Sequence, residues 1–209
     1  MDTLDYIIKK FNLDTDRRLP IEIPNYGRDN LAELFHELDF KKIVEVGVCA
    51  GEYMEVLAEA NPDAQIWGVD PFYPYDEYGD YRRQSSIDKY HEKAKARAEK
   101  YGVTLIEKMS VDGAKDFEDG SLDAVYIDAN HRYEFVVADI HAWLPKVRKG
   151  GIISGHDFAK IKHPTNTHVY QAVLGYTDSH QVKPWFLIGQ NAMIPGEVRD
   201  AMRSWMWVV

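Results

Sequence analysis

The sequence predicts an α/β fold whose centre is a doubly wound, mostly parallel β-sheet. Apolar, strand-like segments alternate with segments of helical periodicity along most of the 209 residues, which is the pattern of a parallel sheet with helices on both faces. Polar residues follow the ends of five of these strands. Because ligands bind outside the carboxyl ends of the strands in such sheets, the two observations indicate one domain with a ligand site at one edge of the sheet.

The first clear unit is an apolar strand, Ile43 to Val48, that runs through a turn into a helix. The strand contains one acidic residue, Glu45, and its turn is bracketed by Gly47 and Gly51, after which the helix formers EYMEVLAEA follow. Such a turn presents unpaired backbone N–H groups and the positive end of a helix dipole. The unit therefore predicts a junction that binds a nucleotide or another anionic group.

The strands that follow also end in polar residues. The segment AQIWGVD ends in Asp70, which lies 19 positions after Gly51, close to the roughly 20-residue spacing of ribose-binding carboxylates in dinucleotide folds. The three later strands, in VTLIEKM, LDAVYID and GGIISGHD, lead to Ser110, to Asp128 and to the pair His156 and Asp157. The last two strands are expected to be neighbours, which brings their ends about 5 Å apart.

The segments outside these units are expected to cover the sheet or the site. Residues 1–27 read as an N-terminal cap, and residues 71–86, rich in aromatic and acidic side chains, as an active-site loop insertion. The segment VKPWFLIGQNAMIP predicts two strands joined at residues 189–191, and the tail GEVRDAMRSWMWVV predicts a helix. Arg28 reads as a solvated surface charge, and Asp139 as a solvated or capping residue of the helix after Asp128.

Composition narrows the class of protein. The formal net charge of −9 argues against a broad basic surface that grips nucleic acid. No apolar run approaches the length of a membrane span, and the N-terminus lacks a signal-peptide pattern. A single cysteine, Cys49, suits a reducing cytoplasm. We therefore expect a cytoplasmic enzyme or binder of small molecules, with no nucleic-acid or membrane partner.

Three segments together resemble class I S-adenosylmethionine-dependent methyltransferases. They are VEVGVCAGEY, GVD and SLDAVYIDANHRYEFVVADIHAWLPKVRKGGIISGHD, and they are most similar to the bacterial branch with sugar and natural-product O-methyltransferases. The resemblance covers roughly Asp29 to Gln190, and it departs from the family at Cys49, where many relatives have glycine. It implies one Rossmann-like domain, 1–209, with a seven-stranded sheet and an antiparallel C-terminal hairpin. The implied activity is O-methyl transfer to a small-molecule hydroxyl.

The resemblance also implies the residues that bind S-adenosylmethionine. Glu45, Gly47 and Gly51 would surround the methionine group, Asp70 would accept from the ribose hydroxyls, Met109 and Ser110 would lie near the adenine, and Asp128 would complete the site. A carboxylate inside an apolar strand is costly without a partner, which favours a binding role for Glu45. The competing interpretation is structural: a plain strand–helix turn for the glycines and helix caps for Asp70 and Ser110.

The reactive groups are predicted at the ends of the last two parallel strands. Asp128 and His131 are the predicted catalytic residues, with His131 as general base because its ordinary pKa lies near neutrality. Asp128, His156 and Asp157 are predicted to share a divalent metal ion such as Mg²⁺, which would lower the pKa of the acceptor hydroxyl. Histidine is a softer ligand than a carboxylate, and each histidine here fits a structural hydrogen bond equally well.

Three other functions are left open by the residues. A metal-dependent hydroxylase on the same fold would use a histidine–carboxylate ligand set, and a non-catalytic module would bind the cofactor without transfer. A nicotinamide-dependent dehydrogenase is disfavoured by the GVCAG turn and the reversed last strand. The aromatic segment Phe72 to Tyr81 would close over the substrate or form the interface of a homodimer. The identity of the methyl acceptor is not encoded in any general rule.

Overall fold

The structure of the protein, a computed structural model, describes residues 2–16, 18–75, 83–160, 167–190, 195–196, 198–200 and 202–209. The helices are α1 (Thr3–Phe11), α2 (Arg28–Glu37), α3 (Glu52–Ala60), α4 (Gln84–Tyr101), α5 (Ser110–Gly113), α6 (Tyr133–Trp143) and α7 (Val169–Ser179). The strands are β1 (Ile21–Ile23), β2 (Lys42–Val46), β3 (Gln65–Val69), β4 (Thr104–Ile106), β5 (Leu122–Ile127), β6 (Val147–Gly155), β7 (Phe186–Ile188) and β8 (Ser204–Val208). None of the helices in these ranges is both long enough and apolar enough to cross a membrane.

The predicted doubly wound sheet is confirmed, and it has eight strands instead of seven. Its order is β1-β7-β8-β6-β5-β2-β3-β4, and β8 alone runs antiparallel to its neighbours, β6 and β7. The additional strand is β1, in the segment predicted to be a cap, where Ile21 to Ile23 pair in parallel with Phe186 to Ile188. Three residues with alternating burial give too short a pattern to identify a strand from the sequence.

The C-terminal tail differs from its prediction. The antiparallel C-terminal arrangement is confirmed, but its second strand is SWMWV of β8 and not part of VKPWFLIGQNAMIP; of the predicted turn at 189–191, residue 191 lies outside the described residues. The tail is a strand where a helix was predicted. Trp205 and Trp207 pack on one face of the sheet and Met206 on the other. A short segment that is apolar on both faces fits a central strand better than a helix.

Two apolar layers hold the sheet and align the strand ends. Along β2, Ile43 packs into the layer beneath α2 and α3, whereas Val44 and Val46 pack into the layer beneath α6 and α7. The last residues of the central strands are in register, because Val46 pairs with both Val69 and Ile127, and Ile127 pairs with Gly155. The residues directly after these strands therefore meet at one edge of the sheet, which is where the sequence predicts the site.

Candidate functional site

The turn after β2 contains two glycines at positions where the backbone angle and the neighbouring atoms leave no room for a side chain. Gly47 has φ of +93°, and a Cβ there would lie 2.2 Å from the backbone oxygen of Asp128. Gly51 has φ of +82°, and its Cβ would lie 3.3 Å from Ala94 of α4. Cys49 also has a positive φ, of 50°, in a region that favours glycine. The two glycines thus allow the close approach of β2 to β5 and of α3 to α4.

Asp70 ties the end of β3 to this turn. Its carboxylate accepts hydrogen bonds from the backbone N–H groups of Cys49, at 2.9 Å, and of Phe72, at 3.0 Å. The residue is buried. The carboxylate of Asp70 therefore fixes the turn after β2 to the segment that follows β3.

A cavity of about 380 Å³ opens at this edge of the sheet. This volume lies within the range of roughly 300–1,000 Å³ that is typical of small-molecule sites. Of the predicted cofactor-binding residues, Gly47, Asp70, Met109, Ser110 and Asp128 line it, together with Cys49, Tyr75, Phe135 and Asp139. Gly51 lies behind the turn, against α4. The cavity is thus built from the turn, from the ends of β3 and β5, and from α5 and α6.

Asp139 is a buried residue of the cavity wall and not the solvated helix residue that was predicted. It is 3% exposed and hydrogen-bonds Ser110, whose Oγ accepts a hydrogen bond from Trp143 Nε1 at 3.0 Å. Burial raises the pKa of Asp139 to about 7, although the Ser110 hydrogen bond opposes this. The signal was present in the sequence, because Val136, Asp139, Ile140 and Trp143 follow the spacing of one helical face.

Glu45 is buried in the sheet layer that faces α2 and α3. It is 2% exposed, and its Oε2 has no hydrogen-bond partner among the described residues. Burial raises the pKa of Glu45 well above its usual range, and the charge of Asp128 adds to that effect. A buried, unpartnered carboxylate oxygen is costly, because its hydration is lost without replacement. The position is therefore typical of a group that pairs with a bound ligand.

Two carboxylates and two histidines meet where β5 and β6 end. His131 Nε2 lies 3.2 Å from Asp128 Oδ1 and 3.0 Å from Asp157 Oδ2. His156 Nδ1 lies 3.5 Å from Asp157 Oδ2 and 3.8 Å from Asp128 Oδ2. The structure therefore brings together all four residues that the sequence predicts as the reactive group.

The carboxylates and imidazoles of this cluster stabilise one another's charged forms. Burial lowers the pKa of His131, but the hydrogen bonds to Asp128 and Asp157 outweigh it and raise the pKa to about 10. The pKa of His156 is raised to about 9, because Asp157 and Asp200 likewise outweigh burial. The pKa of Asp157 is held below its usual range, because its hydrogen bonds with both histidines outweigh its burial. Each imidazole is thus stabilised as a cation between carboxylates.

The donor set fits a divalent cation. One ligand atom each from Asp128, His131 and Asp157 can lie within 4.8 Å of the others, which suits a cation with oxygen and nitrogen ligands at about 2.0–2.3 Å. His131 offers a nitrogen ligand beside the two carboxylates, and the predicted ligand His156 offers another, since its Nδ1 lies 3.5 Å from Asp157 Oδ2. The Nε2 of His156 is directed to Asp200 Oδ1, 3.3 Å away. Asp200, near the C-terminus, carried no motif that would have identified it from the sequence.

Arg28 lies at the same edge and is not the solvated surface charge that was predicted. It lines a second cavity, of about 320 Å³, together with His156 and Asp200. Its backbone N–H donates to Asp200 Oδ2 at 2.8 Å, and its Cζ lies 5.4 Å from the ring centroid of the buried Tyr53. The amphipathic Arg side chain is thus laid over an aromatic ring beside the site.

The aromatic segment Phe72 to Tyr81 is described only up to Tyr75, since residues 76–82 lie outside the described ranges. Phe72 is buried and stacks on His91 with the ring centroids 4.1 Å apart. Tyr75 lines the cavity of about 380 Å³, and its ring centroid is 6.4 Å from that of Phe135. The start of the segment therefore contributes one aromatic ring to the cavity wall.

Comparison with known proteins identifies the family to which this chain belongs. A family model described as a methyltransferase domain matches residues 44–158, more than half of the chain. An uncharacterized protein of Sinorhizobium fredii, y4gI, is 26% identical over 147 residues, which make up 68% of this chain but 16% of that protein. The chain therefore spans only about a sixth of the length of this relative.

Solved structures share the fold at low sequence identity. Cofactor-bound Rv0187 from MTB superposes with a TM-score of 0.62 at 16% identity, covering 87% of this chain and 78% of that one. The S-adenosylhomocysteine-bound methyltransferase PaMTH1 of Podospora anserina gives 0.56 at 17% identity, with 86% and 76% covered. CalS11, a TDP-rhamnose 3′-O-methyltransferase of calicheamicin biosynthesis, gives 0.51 at 16% identity, with 86% and 77% covered.

Proposed function

Because this chain belongs to the methyltransferase domain family, we propose that it transfers a methyl group from S-adenosylmethionine to a hydroxyl group of a small molecule. The observation that carries the proposal is the position of Asp128. Asp128 lines the cavity of about 380 Å³, and its carboxylate hydrogen-bonds His131 in the reactive cluster. A methyl donor held in the cavity would therefore have the cluster beside it.

The cavity wall offers the groups that an adenosine-like ligand needs. Asp70 lines the cavity with a carboxylate that two backbone N–H groups hold in place, and a carboxylate is the kind of group that would accept hydrogen bonds from ribose hydroxyls. Met109 and Ser110, at the start of α5, would face the adenine, with the Ser110 hydroxyl held between Trp143 and Asp139. When bound, S-adenosylmethionine supplies an electrophilic methyl group. The task left to the chain is to position and deprotonate the acceptor.

His131 is the proposed general base. Its imidazole is fixed between Asp128 and Asp157, so its position is defined by two hydrogen bonds. Asp128 and Asp157 would hold a divalent cation with His156, which keeps His131 in the role of the base, and such a cation supplies Lewis acidity toward the acceptor hydroxyl. Carboxylates engaged in this way would stabilise the protonated imidazole less, which favours the neutral form that accepts a proton.

CalS11 acts on a sugar hydroxyl by its description, and the net charge of −9 here favours a small acceptor over a nucleic acid. The proposed acceptor class is therefore a hydroxylated small molecule. The acceptor would contact the aromatic rings at the cavity mouth, including Tyr75 and Phe135, since planar and sugar rings pack on aromatic side chains.

The test begins with calorimetric titration of the purified chain with S-adenosylhomocysteine, with and without Mg²⁺. Hydroxylated sugars and phenols are then screened with isotopically labelled S-adenosylmethionine, and the labelled products are identified by mass spectrometry. Label in an ether methyl group supports the proposal. Label on nitrogen, carbon or sulfur would contradict it. Oxygen consumption with bound iron and no label transfer would identify the hydroxylase alternative instead.

A further inference from the structure

His156 faces the reactive cluster with one ring nitrogen and Asp200 with the other. Its Nδ1 lies 3.5 Å from Asp157 Oδ2 and 3.8 Å from Asp128 Oδ2, while its Nε2 lies 3.3 Å from Asp200 Oδ1. The side chains of His156 and Asp200 are only 12% and 10% exposed, so water has little access to the contact between them. Asp200 is therefore placed to determine which nitrogen of His156 carries a proton.

The carboxylate of Asp200 is held in place by the backbone around it. Its Oδ2 accepts a hydrogen bond from the backbone N–H of Arg28 at 2.8 Å. Two glycines approach it closely, because a Cβ at Gly27 would lie 3.3 Å from Asp200 Cβ and a Cβ at Gly189 would lie 2.8 Å from it. A backbone N–H can only donate a hydrogen bond. One oxygen of Asp200 is therefore committed to Arg28, and the other is the partner of His156.

This contact selects one tautomer of His156. An ionised carboxylate only accepts hydrogen bonds, so Nε2 must carry the proton in the pair with Asp200. In the neutral ring the lone pair is then on Nδ1, which is the nitrogen that lies beside Asp128 and Asp157. A histidine binds a metal ion through its unprotonated nitrogen, while its other nitrogen commonly donates to a carboxylate. Asp200 thus selects the tautomer of His156 that a metal ligand requires.

The distances around Nδ1 of His156 suit ligands of one cation better than a direct hydrogen bond. An N–H···O hydrogen bond spans about 2.7–3.2 Å, and the two Nδ1 distances of 3.5 and 3.8 Å are longer. Ligand atoms that bind one ion at about 2.0–2.3 Å lie about 3–4 Å from one another. Nε2 of His131, by contrast, is at hydrogen-bond distance from Asp157 Oδ2, 3.0 Å away. The geometry therefore favours His156 as the nitrogen ligand and leaves His131 as the base.

We propose that Asp200 is a positioning residue that makes His156 the nitrogen ligand of a divalent cation in the reactive cluster. The inference rests on the cation of the proposed function and not on the identity of the acceptor. A nitrogen ligand among carboxylates favours Mn²⁺ or Co²⁺ over Mg²⁺, which prefers oxygen ligands. Asp200 lies outside residues 44–158, which the family model matches, so the orienting group is supplied by the C-terminal segment of the chain.

Asp200→Asn should reverse the tautomer of His156, because the N–H of Arg28 determines how the new amide is oriented. The amide oxygen has to accept from Arg28, since an NH₂ group there would set two donors against each other. The NH₂ group then donates to Nε2 of His156. This moves the ring proton to Nδ1 and removes the lone pair beside Asp128 and Asp157. Asp200→Ala leaves no partner at Nε2, so both tautomers of His156 remain available.

Calorimetric titration with Mn²⁺ and with Co²⁺ measures this effect without any acceptor or cofactor. We expect Asp200→Asn to weaken the binding of both ions by about 100-fold and Asp200→Ala by about 10-fold, which is the range for losing a group that orients a metal ligand. The visible spectrum of bound Co²⁺ should change in Asp200→Asn as it does in His156→Ala, because both variants lose the nitrogen ligand. Asp29→Asn, at an exposed carboxylate of the same cavity, is the matched control and should bind both ions within about twofold of wild type.

A purely structural role for Asp200 predicts the opposite order of affinities, because an amide replaces the shape of the carboxylate better than a methyl group does. Metal binding by Asp200→Ala that is as weak as that by Asp200→Asn, or weaker, would therefore overturn the assignment. In the His156→Ala background Asp200→Asn should cause no further loss, and a further loss would also overturn it. So would a wild-type chain that binds neither ion, even if it transfers methyl groups. An acceptor screen that fails while the metal affinities follow the expected order would count only against the proposed methyl transfer.

Discussion

Asp139→Asn should make the protein more stable at neutral and alkaline pH. Asp139 is buried against Ser110 and Trp143, and its pKa is raised from 3.8 to about 7. A carboxyl group with a raised pKa in the folded state binds more protons there than in the unfolded chain between these two values. The free energy of unfolding of the wild type therefore falls as the pH rises through that window. An amide has the same shape and does not ionise, so the variant avoids this loss.

The size of the expected gain in stability follows from the shift in the pKa of Asp139. The interval between 3.8 and about 7 is about three pH units, and each unit corresponds to about 1.36 kcal/mol. The free energy of unfolding of Asp139→Asn should equal that of the wild type near pH 4 and exceed it by about 4 kcal/mol at pH 8. The Ser110 hydroxyl can still donate to the amide oxygen of the variant, so the hydrogen bond chain from Trp143 is retained.

Urea denaturation of both proteins at pH 5, 6, 7 and 8 measures this difference, because the midpoint and slope give the free energy of unfolding at each pH. Asp63→Asn, at an exposed turn position, controls for the amide substitution itself. The difference between Asp139→Asn and wild type should widen with pH and then level off above pH 7. A difference that stays constant from pH 5 to pH 8 would refute the conclusion that Asp139 is a buried acid with a raised pKa.

Three further substitutions test other parts of the fold and site. His131→Ala should abolish methyl transfer and leave S-adenosylhomocysteine binding intact by calorimetry; retained turnover would remove His131 from the reaction. Cys49→Gly should leave the free energy of unfolding unchanged or raise it by up to about 1 kcal/mol, because φ is +50° there; a loss above 1 kcal/mol in urea would contradict this. Trp205→Ala should lower that free energy by about 3–5 kcal/mol, because its ring is 1% exposed and packs on Trp207 and Gly155. A loss below 1 kcal/mol would contradict the central position of β8.

The sequence was sufficient for the central strands but not for the edges of the sheet. Strands such as β2 and β5 are apolar runs with a polar residue at the end, and this pattern is local. The partner of β7 is β8, which lies about 16 residues farther along the chain, and pairing over that separation depends on tertiary packing. The tail SWMWV has no period that distinguishes a strand from a buried helix, so only the sheet determines its conformation.

The site likewise contains some residues that the sequence pattern could predict and others that only the folded structure brings together. Asp70, Asp128 and His156 follow strands directly, and Asp157 and His131 come within a few residues of them, so their meeting at one edge could be predicted. Arg28 and Asp200 come from opposite ends of the chain, and they meet through the hydrogen bond from the backbone N–H of Arg28 to Asp200 Oδ2. No spacing rule relates residues that are 172 positions apart. Their position beside His156 becomes visible only in the folded structure, where all three residues line one cavity.

Asp128 is the point at which the two halves of the site meet, and this determines which substitutions can separate them. Its backbone oxygen is the atom that excludes a side chain at Gly47, its carboxylate fixes His131, and its charge acts on both Glu45 and Arg28. Under the proposed function, replacing Asp128 would therefore disturb cofactor binding and proton transfer together. In the proposed reaction His131 acts through the reactive cluster, where its Nε2 lies between Asp128 and Asp157. Substitutions at Asp128 and His131 should consequently show losses of turnover that are not additive, because the two side chains are in direct contact.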